Sequence, residues 1–178
     1  MSQLQQTDIL EEIPSMRRYA RSLARDESVA DDVVQDALLK ALEKRHSFRT
    51  DGSPRRWLLS IVHNIFISAR RREQAEARRD VRFAQTLVDR LEPDQEHVAC
   101  LREVASAFAA LPEHHRAVLH LVAVEGQSYQ EAAAILEVPI GTVMSRLSRA
   151  RAALRSPERA AGARDGDRLR IIGGQDAD

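Results

Sequence analysis

SYQEAAAILEVPIGTVMSRLSRARAAL, residues 128–154, holds two helical patterns separated by a short turn. Ser128 stands where an N-cap accepts backbone N–H groups, and Glu131, three residues on, occupies the reciprocal capping-box position. The apolar run ends at Leu136, and Glu137-Val-Pro-Ile makes the turn. In the helix that follows, Val143, Leu147, Ala150 and Leu154 recur on one face and must pack inward. Ser145, Ser148, Arg149 and Ala152 stand opposite, Thr142, Met144 and Arg155 lie at the margins, and Arg146 and Arg151 flank the inward stripe. A short capped helix, a tight turn and a longer basic helix form a helix-turn-helix, whose second helix lies in the DNA major groove. The arginines then divide by direction. Arg149 points away from the core and suits the O6 and N7 acceptors of guanine, with Ser145 and Ser148 offering short hydrogen bonds, whereas Arg146, Arg151 and Arg155 are placed for phosphates.

Upstream of this unit, HVACLREVASAFAAL and HRAVLHLVAVEG read as two further helices, the second closed by Gly126 as a C-cap. Between about Gln74 and Gln95 periodicity weakens and charge is dense, which marks a linker. The N-terminal part contains two stronger helical patterns. Ser28, with Asp31 three residues later, reads as an N-cap, and Val33, Val34, Ala37, Leu38 and Ala41 share one face of the helix that follows. Asp32, Gln35, Asp36, Leu39 and Glu43 share the other. After the turn-rich HSFRTDGSP comes RRWLLSIVHNIFISARRRE, in which Trp57, Leu58, Ile61, Val62, Ile65 and Ala69 form the inward stripe. Arg56, Ser60, His63, Asn64, Ile67, Arg70 and Arg71 are left on the far side. The expected fold is all-α, with two small helical domains joined by a flexible linker. The boundaries are 1–75, a linker over 76–95, a helix-turn-helix domain over 96–156, and a mobile tail over 157–178 in which Leu169, Ile171 and Ile172 are the apolar residues.

Composition agrees with two modest helical cores: 43% hydrophobic and 30% charged residues, with 4% aromatics. Zero net charge conceals segregation. Residues 8–44 carry nine acids against six bases, residues 55–79 seven arginines against two glutamates, and residues 140–155 four arginines and no acid. Such blocks suit an acidic face for a basic protein surface and two basic faces for a polyanion. The lone Cys100 excludes an internal disulfide and reads as a small buried residue, so a reducing cytoplasm is expected. The acidic start has no signal-peptide character, and no run is long and apolar enough to span or insert into a membrane. His114, His115 and His120 lack a companion carboxylate or thiol at metal-ligand spacing, so no metal or other cofactor is expected. Neither a nucleophilic triad nor a phosphate loop is present, and no enzymatic activity is expected.

The blocks DDVVQDALLKALEK, WLLSIVHNIFISARRR and LPEHHRAVLHLVAVEGQSYQEAAAILEVPIGTVMSRLSRARAAL together resemble the extracytoplasmic-function sigma factors of bacterial RNA polymerase, members of the sigma-70 superfamily, over residues 8–155. The resemblance implies a transcription initiation factor whose partners are core RNA polymerase, promoter DNA and an anti-sigma factor. By position, Asp32, Gln35, Asp36 and Leu39 would contact the polymerase. The loop over residues 46–53 would capture a flipped base of the minus-ten element, with Phe48 as a stacking platform. Asn64, Arg70 and Arg71, together with Arg56, Ser60 and His63 on the same side, would face the opened strand. Thr142, Met144, Ser145, Arg146, Ser148, Arg149, Arg151 and Arg155 would meet the minus-thirty-five element. The chain departs from the family pattern at Ser68, where an acid is usual, and at Met144, where a cation is usual; Met144 suits contact with a thymine methyl. Two other classes compete: an autonomous helix-turn-helix regulator, which would need a dimer interface or effector pocket in its N-terminal domain, and an adaptor whose basic helix is incidental.

Overall fold

The computed structural model describes residues 6–48, 52–79 and 96–161, with side chains described over 7–48, 52–75 and 103–155. Eight α-helices are found among the described residues: α1 Gln6–Glu11, α2 Ile13–Leu23, α3 Glu27–Lys44, α4 Pro54–Arg79, α5 Glu96–Ala110, α6 Glu113–Ala123, α7 Tyr129–Leu136 and α8 Ile140–Ala161, with a 3₁₀ turn at Arg45–Ser47. Residues 49–51 of the base-capture loop, 80–95 of the linker and 162–178 of the tail lie outside the described residues, as does the side chain of Cys100.

In the N-terminal half, α2, α3 and α4 pack around Met16, Tyr19, Leu23, Val33, Val34, Ala37, Leu58 and Val62, all buried. The inward face of α3 is the expected one, with Ala30 added and Leu38 half-buried. Its N-cap is Asp26 rather than Ser28, because the Asp26 side chain accepts from the backbone N–H groups of Ser28 and Val29 at 2.8 and 3.2 Å. Those hydrogen bonds stabilise the Asp26 carboxylate and lower its pKa, the Ser28 hydroxyl contributing most.

Helix α4 departs further from its expected packing. Leu58 and Val62 are buried as expected, but so are Leu59 and Phe66, while Trp57, Ile61 and Ile65 are only half-buried. The cause is that α4 packs against the rest of the N-terminal half on one side and against α7 on the other. A helix covered twice has no single apolar stripe.

In the C-terminal half, the four expected helices appear as α5 to α8. Both arms of the Ser128–Glu131 capping box are made, with the Ser128 N–H donating to Glu131 Oε2 at 2.9 Å and the Glu131 N–H donating to Ser128 Oγ at 3.2 Å. The cap of α6 falls at Val124, and Gly126, at φ 66°, turns the chain two residues later. There the Gln127 N–H donates to the Leu121 carbonyl at 2.9 Å. Val143, Leu147 and Ala150 on α8 are buried, and α8 runs seven residues beyond the expected Leu154, to Ala161. No helix among the described residues is long and apolar enough to cross a membrane.

Candidate nucleic-acid and polymerase interfaces

Three surfaces carry the residues singled out in the sequence. On α3, Asp32, Gln35, Asp36 and Leu39 are all exposed, and Leu39 keeps 62% of its surface open although it is a large apolar side chain.

On α8, the exposure pattern follows the helical reading. Met144, Ser145, Ser148, Arg149 and Arg155 are exposed, whereas Thr142, Arg146 and Arg151 are half-buried beside the inward stripe. Ser145 turns its hydroxyl back to the Thr142 carbonyl at 3.0 Å, and Arg155 Nε donates to the Arg151 carbonyl at 3.3 Å. Among the described residues, none of the four arginines of this face forms a salt bridge with a carboxylate. Four cations on one helix without carboxylate partners leave their charge available to an external polyanion.

The third surface lies on α4 and the turn before it. Phe48 packs edge-on against Trp57, with ring centroids 5.5 Å apart. The two rings line an open cleft of about 270 Å³ with Ser47, Ser53, Arg56 and Ser60, and Ala134 and Ile135 of α7 close its far side. Such a cleft, aromatic on one wall and polar at the rim, has the chemistry to hold a planar base.

Along the rest of α4 three of the expected strand-facing residues, though partly or largely exposed, also reach carboxylates of the C-terminal half. Arg56 Nη1 approaches Glu131 Oε1 at 3.7 Å, Asn64 Nδ2 donates to Glu137 Oε1 at 3.0 Å, and Arg70 Nε donates to Glu113 Oε2 at 3.4 Å. Arg70 also donates to Glu73 within α4, at 3.0 Å. Arg71 is exposed. His63 is half-buried, stacked on Tyr19, with its Nδ1 3.0 Å from the tyrosine hydroxyl. Burial pushes the His63 pKa down to about 4, Glu137 opposing and Arg146 reinforcing, while burial raises that of Tyr19. Near neutral pH the imidazole is therefore uncharged, and its Nδ1 and the tyrosine hydroxyl share one hydrogen bond.

Sequence reasoning missed the residues that join the two halves. Arg116 of α6, 4% exposed, donates to the Ser22 and Leu23 carbonyls, each at 2.8 Å, and to the Leu111 carbonyl at 2.6 Å. Ser22 and Leu23 are the last residues of α2, so a buried guanidinium satisfies the orphan carbonyls at the negative end of that helix. Glu125, 5% exposed, accepts from Ser15 at 2.6 Å and from Arg18 Nε at 3.2 Å, with His120 Nε2 3.3 Å away. Burial alone would raise the Glu125 pKa, but the Ser15 and Arg18 hydrogen bonds outweigh it and hold the carboxyl below its usual value. His120 serves in this junction, with its ring 5.6 Å from that of Tyr19. The only available signal was negative: an arginine and a glutamate inside strongly apolar helical patterns, with no partner legible nearby in sequence.

With this geometry in place, known proteins identify the class. Residues 9–63 match the family described as the Sigma2 domain of PhyR, and residues 101–154 match Sigma-70, region 4. The chain is 40% identical over 150 residues to the ECF RNA polymerase sigma factor EcfG of Rhodopseudomonas palustris, covering 83% of this chain and 81% of that protein. It belongs to the extracytoplasmic-function family of RNA polymerase sigma factors. Its fold is similar to that of the sigma factor RpoE of Bartonella quintana, solved in complex with the anti-sigma factor NepR. That likeness has a TM-score of 0.73 at 34% identity, over 84% of this chain and 93% of that one. It is also similar to CnrH, solved in complex with the cytosolic domain of CnrY, with a TM-score of 0.58 at 28% identity over 85% of each chain.

Proposed function

We propose that this sigma factor binds core RNA polymerase in the bacterial cytoplasm and directs it to promoters by recognising minus-ten and minus-thirty-five elements, with no catalysis of its own. Residues 1–75 form the polymerase-binding and minus-ten domain, 96–156 the minus-thirty-five domain, 76–95 the connection, and 157–178 a tail outside both. Asp32, Gln35, Asp36 and Leu39 contact the polymerase. Phe48, Arg56, Ser60, His63, Asn64, Arg70 and Arg71 handle the opened minus-ten strand. On α8, Arg149 reads a base with Ser145 and Ser148 beside it, Thr142 and Met144 border the groove, and Arg146, Arg151 and Arg155 hold the backbone. An anti-sigma factor is its further partner, a reading supported by the similar RpoE of Bartonella quintana, solved in complex with the anti-sigma factor NepR.

The observation that carries this reading is α8, whose four arginines lack carboxylate partners among the described residues, Arg149 and Arg155 exposed away from buried Val143, Leu147 and Ala150 and Arg146 and Arg151 flanking them. The polymerase contact is tested by Asp32→Arg with Asp36→Arg. Both positions are exposed, so the fold should survive, at a cost within about 0.5 kcal/mol each. Circular dichroism should be unchanged and pull-down of core polymerase lost; undiminished pull-down would rule out this face.

A further inference from the structure

The start of α8 differs in chemistry from the rest of the helix. From Val138 through Ser145 the chain carries no charged residue, whereas Arg146, Arg149, Arg151 and Arg155 all lie beyond it. Ile140, the first residue of α8, keeps 42% of its surface open, and Met144, one turn on, keeps 53%. Val143 between them in sequence is fully buried, so this turn is docked on the core and the exposure belongs to the two side chains. At 100° per residue Arg151 and Arg155 follow Met144 along the same edge of α8, two and three turns later.

Gly141 stands between the two apolar side chains, exposed, and a Cβ added there would meet nothing within 4 Å. Packing within the chain therefore does not call for a glycine, which is a poorer helix former than alanine. Its missing side chain lets an outside surface come close to the helix backbone. Met144 and Arg149 are separated by about 140° around α8 and about 7.5 Å along it, on opposite edges of the outward face. A helix seated in the major groove would thus bring an apolar edge and a cationic edge to different base pairs, and the apolar group that base edges offer there is the C5 methyl of thymine.

We infer that Ile140 and Met144 form an apolar subsite that selects thymine at one or two positions of the upstream element by burying its C5 methyl group. The inference rests on the minus-thirty-five role proposed above for α8 and adds the chemistry of the base that its first turns take. Continuity decides the occupant. The pair adjoins exposed Ser145 and Ser148, and the arginines that follow have no carboxylate partner among the described residues. An apolar spot on a cationic helix suits a methyl-bearing base set between phosphates. Burial of one methyl sets the scale of the preference at about fourfold. Because the contact is apolar, that factor does not depend on salt, unlike the contribution of the phosphate contacts.

The test uses holoenzyme assembled from the full chain and core polymerase, bound to a promoter fragment taken from a mapped start site. Thymines of the upstream element, on either strand, are replaced one at a time by deoxyuridine, which removes only the C5 methyl. Uracil at one or two of them should weaken binding about fourfold, by the same factor at low and high salt. Met144→Ala, at an exposed position and so harmless to the fold, should weaken the thymine promoter by a similar factor and lose most of the preference over uracil. Ile140→Ala/Met144→Ala should lose all of it, with circular dichroism checking the fold of both variants. If no thymine of either strand responds to uracil, or if uracil and Met144→Ala weaken binding independently, the inference is overturned; the α8 assignment then stands as long as Arg149→Ala still relaxes one base position. Should neither Arg149→Ala nor Met144→Ala alter the base preferences, the α8 assignment itself fails and the inference falls with it.

Discussion

Glu137 concentrates the structural argument at one position. Its left-handed backbone costs a side-chain-bearing residue about 1 kcal/mol relative to glycine, and its solvent-exposed hydrogen bond to Asn64 returns less than that. Glu137→Gly should therefore raise stability to urea slightly or leave it unchanged. Glu137→Ala, which loses the contact and keeps the strain, should be less stable than the glycine variant by about 1 kcal/mol. Equal stability of the two would show that the turn carries no strain. On α8 the contrast is between Arg149, exposed, and Arg151, half-buried beside the stripe. With a library of single-base variants of the upstream element, Arg149→Ala should cost about 1–3 kcal/mol and relax one position. Arg151→Ala should weaken all sequences alike and make the salt dependence shallower by about one phosphate contact. The reverse pattern would mean that α8 is rotated from this assignment. Both arginines were legible as positions on a wheel, since Val143, Leu147 and Ala150 left no choice of inward face. The strain at Glu137 was not legible, because a glutamate after an apolar run looks like any polar turn residue.

At the scale of elements, local chemistry was read well where it is self-contained. The Ser128–Glu131 capping box, the stripe of α3 and the helix-turn-helix need no information beyond a few neighbouring residues. Helix α4 shows where that stops. Its far side carries His63, Asn64 and Arg70, which look solvent-facing by composition, yet α7 packs beside it, and Glu137 and Glu113 pair with Asn64 and Arg70. A polar-on-polar interface has no apolar signature in sequence. The junction of α6 with the end of α2 depends on Arg116, and its removal is the sharpest test of how these elements dock. Arg116→Met keeps the aliphatic bulk but leaves the Ser22 and Leu23 carbonyls buried without a donor. It should cost about 2–4 kcal/mol in urea unfolding, with loosening of the two halves in scattering. A loss below about 0.5 kcal/mol would show that water replaces the guanidinium and that the junction is wet.

For the whole molecule, the same two halves that face DNA in the proposed function face each other here, and titration of their buried histidines should change the stability of the fold. His63, with a pKa of about 4, and His120, lowered by burial against the opposing pull of Glu125, are both held neutral in the folded chain. An unfolded histidine titrates near 6.5, so between about pH 6.5 and 4 the unfolded chain binds more protons than the folded one. Stability is therefore greatest above about pH 6.5 and declines as pH falls toward 4. Glu125, held below the usual carboxylate value, loses its contribution only as pH falls through that lowered value. His63→Gln, which preserves a partner for the Tyr19 hydroxyl, should flatten the decline between pH 7 and 5 without abolishing it, since His120 still titrates. An unchanged slope would place the sensitivity elsewhere.

The central claim, that the chain serves RNA polymerase rather than binding promoters on its own, is tested most directly by transcription in vitro on genomic fragments with purified core polymerase, mapping the start sites. Each basic face is small and the two are fixed at promoter spacing only on the enzyme, so specificity should appear only when both proteins are present. The expected result is discrete start sites that require both chain and core polymerase, share an upstream and a downstream element, and vanish with Asp32→Arg/Asp36→Arg. Tight sequence-specific binding by the chain alone, with no polymerase-dependent start sites, would contradict it.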